Sequence, residues 1–100
     1  MYNYEFHREC RTAYSEAYTV EEESRELGHI DLHYTIPTVH GTLFVMESIT
    51  GEEIQELIDA IDEQLVMSSY PDRDDFIVAV YQGRDVGVYS AQDVDGEERV

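Results

Sequence analysis

The sequence predicts an α+β fold: a mainly antiparallel sheet of five to six strands with one amphipathic helix packed across it, in the order β-β-β-β-α-β-β. Three observations carry that prediction. The stretch Ile49 to Val66 repeats apolar residues at helical spacing, several segments before it alternate with period two, and Phe76 to Tyr81 is an unbroken apolar run. One hundred residues suffice for a single domain that buries roughly 60–65% of its unfolded surface. Residues 1–90 read as that domain and 91–100 as an acidic tail that frays.

Taken in order, Tyr2, Tyr4 and Phe6 alternate with Asn3, Glu5 and His7, the pattern of a half-buried strand. Ala13, Tyr14, Ala17 and Tyr18 sit at helical spacing while Tyr14, Glu16, Tyr18 and Val20 alternate. Arg8 to Ser15 is read as a loop before a second strand from about Glu16 to Glu22. After the polar turn Glu23-Ser24-Arg25-Glu26, the strand Leu27 to Ile36 places Ile30, Leu32, Tyr34 and Ile36 on one face. His29, Asp31, His33 and Thr35 fall on the other. A turn at Pro37-Thr38 that pairs Ile36 with Val39 puts Val39, Gly41, Leu43 and Val45 on the same apolar face.

The helix is the most strongly specified element. Thr50 is an N-cap whose hydroxyl can accept from the Glu53 amide while the Glu53 carboxylate returns to the Thr50 amide, and Ile49 and Ile54 have the spacing of a hydrophobic staple. Ile54, Leu57, Ile58, Ile61 and Leu65 form one apolar stripe. Beyond the loop Met67 to Asp75, Phe76 to Tyr81 is apolar on both faces and reads as a central strand. Gln82-Gly83-Arg84-Asp85 then reads as a hairpin turn into a last strand at Val86, Val88 and Tyr89.

Charge is the unusual property. Twenty-three acids face six bases, all of them arginine, for a net charge of −17. Such a surface repels nucleic acid and anionic membrane and attracts basic partners. Glu52, Glu53, Glu56, Asp59, Asp62 and Glu63 line the polar side of the helix, and a carboxylate row about 24 Å long there is a candidate imitation of a phosphate track. The expected function is therefore non-enzymatic binding of a basic protein surface, with inhibition of a nucleic-acid-handling partner as its concrete version. Adaptation to high salt is the competing explanation of the same charge.

A second alternative is a small metal-binding domain, since His29, Asp31 and His33 share a strand face and His40 lies across the hairpin. The polar outer face of an antiparallel sheet explains the same residues without an ion, so no metal and no cofactor is assigned. The short D-x-D elements at Asp72-Arg73-Asp74 and Asp93-Val94-Asp95 lack the complete ligand pattern of a calcium loop. Cys10 beside His7 lacks an orienting third group, so no catalytic residue is assigned. The lone cysteine, the absence of a membrane-length apolar run and the charged N-terminus point to a soluble cytoplasmic protein. Tyr2, Tyr4, Tyr14 and Tyr18 supply area for a partner patch or homodimer, or else cover the second sheet face.

Overall fold

The computed structural model of the chain describes residues 3–92. Four strands form an antiparallel meander: β1 (Tyr4–Arg11), β2 (Ser15–Glu22), β3 (Arg25–Thr35) and β4 (Thr38–Met46). Helix α1 begins as Gly51–Ile61, passes through a π-helical stretch, Asp62–Val66, and closes on a short α turn, Met67–Ser69. The chain then returns as β5 (Asp75–Gly83), parallel to β4, and the strand order across the sheet is β1-β2-β3-β4-β5. This is the α+β architecture that the patterning predicts, with five strands rather than six.

The start of α1 follows from its local chemistry. The Glu53 amide donates to Thr50 Oγ1 at 3.1 Å and the Thr50 amide donates to Glu53 Oε1 at 2.9 Å, a complete capping box. Leu57 and Ile61 are buried, and Ile54 and Ile58 pack beside them. The predicted stripe then breaks. After Ile61 the next fully buried residue is Val66, five positions on, while Leu65 is only partly buried. The π-helical stretch supplies that extra residue per turn and re-phases the apolar face.

Strand alternation sets the two sheet faces. Tyr18, Ile30 and Leu43 are aligned across three strands and face the helix, as do Glu16, Leu32 and Gly41 one pleat away. On the opposite face lie the rows His7, Thr19, His29, Phe44, Tyr81 and Ser15, His33, His40, Ile77. Among the described residues, no element covers that second face.

Gly28 opposes Val20 where the β2–β3 register shifts, with φ +156°. A Cβ there would stand 1.9 Å from the Phe44 carbonyl oxygen, so only glycine fits.

Several expectations change. The hairpin β3–β4 pairs Tyr34 with Val39, two residues from the expected register. A two-residue slip preserves the faces, so the predicted apolar set is retained while Ile36 moves into the turn and is 54% exposed. The segment from Arg8 onward completes β1, with a bulge between Arg8 and Cys10. Tyr4 and Tyr18 belong to the core on the helix side rather than to the second face, and Tyr14 is exposed.

Among the described residues β5 is an edge strand and not the central one expected. The other side of β4 is already occupied by β3, so a strand that returns beside β4 after the helix takes its free side and becomes the edge. The hairpin and final strand over residues 82–89 are also absent: β5 continues to Gly83 and residues 84–90 form no strand. Of the expected acidic tail, residues 93–100 lie outside the described residues.

Three substitutions test the helix's buried face, and two of them separate it from the predicted one. Ile61→Ala, at a fully buried site, lowers unfolding free energy in urea by about 2–5 kcal/mol. Val66→Ala is expected to cost more than Leu65→Ala; equal or reversed costs would contradict the π-helical phase.

Candidate functional site

Three features of the molecule bear on function: the acidic helix side, the bare sheet face with its β5 border, and a cavity at the end of the sheet. They are built from different residues and differ in what they can bind.

The six helical carboxylates do not form a continuous free row. Glu53 is engaged in the capping box. Asp62 accepts from Arg73 Nε at 3.1 Å and from Arg73 Nη2 at 2.5 Å, a bidentate pair at a half-buried site. Glu56 is partly buried, whereas Glu52, Asp59 and Glu63 are exposed. Their positions place them about 10 Å and 6 Å apart along the axis. That is sparser than the charge spacing of a nucleic-acid backbone, roughly 1.7 Å per charge.

The histidines expected as a metal set share the uncovered face. His33 and His40 are direct cross-strand partners, and the His29 ring sits 6.3 Å from that of Phe44. Asp31 opposes Ala17 and Thr42. Among the described residues, only Glu5, His7 and Glu21 bring three ligand atoms within 4.8 Å of one another. His7 Nε2 lies 3.6 Å from Glu5 and 3.4 Å from Glu21, an exposed cluster on β1 and β2.

The two borders of the sheet contrast sharply. The β1 border carries Glu5, His7, Arg8, Glu9 and Arg11 and is interrupted by a bulge, both devices that discourage strand addition. The β5 border has neither: Phe76 to Tyr81 holds no charge and pairs with β4 in unbroken register. Of the nine large apolar side chains that are exposed among the described residues, six fall in one stretch: Ile77, Val80, Tyr81, Val86, Val88 and Tyr89. Gln82 ties the end of this strand to the helix entry by donating to the carbonyls of Met46 at 3.1 Å and Ile49 at 2.7 Å. Asp72, Asp74 and Asp75 stand at its beginning and Asp85 just past its end.

The cavity is organised by Glu16, the one buried charged side chain among the described residues. Its Oε1 accepts from the Tyr18 hydroxyl at 2.7 Å and from the Tyr34 hydroxyl at 3.0 Å. Its Oε2 lies 3.5 Å from Arg8 Nη1 and 3.4 Å from Arg11 Nε. Beside it opens a cavity of about 250 Å³ lined chiefly by Arg11, Thr12, Glu16, Tyr34, Ser69 and Tyr70. Tyr70 leans on Tyr34 with ring centroids 4.9 Å apart.

Sequence patterning places Glu16 on a strand beside Tyr18 but does not assemble the cluster, because Arg8, Arg11 and Tyr34 come from β1 and β3. The signal available was the coincidence of glutamate with tyrosine and valine on a core-facing period, Glu16, Tyr18 and Val20.

No protein-family model, curated protein or solved structure matches this chain. No helix among the described residues is long and apolar enough to cross a membrane.

Burial, followed by donation to the Glu16 carboxylate, raises the pKa of both the Tyr18 and the Tyr34 phenol above the ordinary value of 10.0. A group whose pKa is higher folded than unfolded contributes stability below the unfolded value and loses it as pH climbs through the folded one. Melting temperature is therefore expected to hold to about pH 9 and fall above about pH 10. In an ultraviolet titration two phenols ionise later than a free tyrosine. Ionisation of every tyrosine at or below the free value would remove the Glu16 network.

Proposed function

We propose that this chain is a non-enzymatic binding protein that receives an extended segment of a basic partner protein along the outer border of β5. The observation that supports this is the unprotected apolar border itself. A flat, uncharged, unbulged edge is a template for a further strand, and proteins that do not use such an edge normally blunt it. The contrast with β1 argues that the difference is local and specific to β5. Ile77 and Tyr81 give apolar contacts on the bare face, and Val80 gives one on the helix side. The aspartates at both ends favour a segment with an apolar centre and basic flanks.

In this mechanism the helix contributes at a distance. Glu52, Asp59 and Glu63, with the rest of the −17 charge, speed the approach of a basic partner and repel nucleic acid and other copies of the chain. Backbone pairing along β5 then supplies the lasting contact. No nucleophile, general base or metal takes part.

The test is selection of peptides from a random display library against the full chain. Selected peptides are expected to alternate apolar residues between Lys or Arg flanks and to weaken at high salt. Ile77→Lys/Tyr81→Lys should reduce their affinity at least ten-fold, while Glu52→Lys/Asp59→Lys/Glu63→Lys should slow association and leave dissociation unchanged. If reversal of the helix charges abolishes binding and the β5 variant binds normally, the interface is the helix and nucleic-acid mimicry replaces strand addition. Dimerisation of the chain, lost in the β5 variant, would make the occupant a second copy and overturn the partner.

A further inference from the structure

We infer that the cavity beside Glu16 binds a small zwitterion bearing a carboxylate and a protonated amine, of which an α-amino acid is the simplest example. This site is separate from the β5 border and does not depend on the function proposed for it.

A buried ion pair contributes little net stability, and apolar residues of similar volume commonly serve as well or better. Yet this chain directs two of its six basic residues to one buried carboxylate while most of its acids go unneutralised. A buried charge held this way on the wall of a cavity is a candidate site with a physical rationale.

The donor and acceptor pattern then limits the ligand. Oε1 of Glu16 is engaged by two phenols. Oε2 has its two guanidinium neighbours at 3.4 Å and 3.5 Å, beyond the usual range of about 2.7–3.2 Å for an N–H···O bond. It therefore retains acceptor capacity for an ammonium group. Arg11 approaches Glu16 through Nε at 3.4 Å and is 63% exposed, so its terminal nitrogens remain able to fork a carboxylate. Ser69 and Thr12, whose hydroxyl is held by Ser15 Oγ at 2.7 Å and by the Tyr14 amide at 3.2 Å, line the same wall.

Charge excludes the simpler ligands. A lone anion must approach through the field of a protein of charge −17, and a lone cation must settle against Arg8 and Arg11. A zwitterion places each pole against its opposite and carries no net charge through the field. Volume agrees: about 250 Å³ lies below the range of roughly 300–1,000 Å³ typical of drug-sized sites.

The experiment is a ¹⁵N-amide titration of the full chain at pH 7 and constant ionic strength, with L-alanine, acetate and ethylamine as separate probes. Alanine is expected to shift the amides of Thr12, Glu16 and Ser69 saturably, and acetate and ethylamine to bind at least ten-fold more weakly. Arg11→Gln, at an exposed position, should keep the fold and weaken alanine at least ten-fold, as should Glu16→Gln if it folds. Ile77→Lys/Tyr81→Lys should leave alanine binding unchanged, which keeps this site distinct from the β5 border. Acetate binding as well as alanine would make it an anion site, and ethylamine binding as well would make it a cation site. No saturable shift with any probe would leave a cavity filled by water. Each of these three results overturns the inference.

Discussion

The fold depends on one crossover. Helix α1 leaves β4, lays its apolar side over one face of the sheet and returns the chain beside β4 in parallel. That passage is fixed at its start by the Thr50–Glu53 capping box and along its length by Leu57, Ile61 and Val66. Burial of a Leu, Ile or Val side chain stabilises by about 1.5–3 kcal/mol each, against which a cap adds about 1 kcal/mol. Packing therefore decides that the helix lies on the sheet, and the cap decides where it begins. Since a single helix covers only one face, the crossover leaves the other face uncovered by any element and makes β5 the border, among the described residues.

Charge is distributed in keeping with that division. Most carboxylates are solvated, where each interaction is weak and screened. Arg73 and Asp62 form a bidentate pair between the loop before β5 and the middle of the helix, which anchors the end of the crossover. Glu16 is the exception. Its removal from water is tolerable only because two phenols and two guanidiniums surround it. The same burial, with donation to the carboxylate, raises the pKa of the Tyr18 and Tyr34 phenols above the ordinary value.

Much of this architecture is legible in local pattern. Period-two alternation assigns Ile30, Leu32 and Tyr34 to the core and His29, Asp31 and His33 to the opposite face, and the observed burial agrees. The capping box is a four-residue signal, so it is found without tertiary information. What escapes the sequence depends on partners far along the chain. An apolar run such as Phe76–Tyr81 has the same composition at a sheet's centre or border, and only the order in which strands add decides between them. The π-helical phase at Val66 is set by packing against the sheet, not by propensity. The Glu16 cluster requires the bulged β1–β2 register to bring Arg8 and Arg11 across, and Tyr34 comes from eighteen residues away. The helix carboxylates and the Thr50–Glu53 box are legible in the sequence, but the engagement of Asp62 by Arg73 is not.

The most direct measurement is amide hydrogen exchange along β5 in the free protein. An unpaired border predicts alternation: amides directed at β4 exchange slowly, and every second amide, directed away from it, exchanges at nearly the rate of an open chain. Uniform protection from Phe76 to Tyr81 would mean that a further strand covers the border, as a central position for this segment requires. In that case neither the open edge nor the binding role built on it stands.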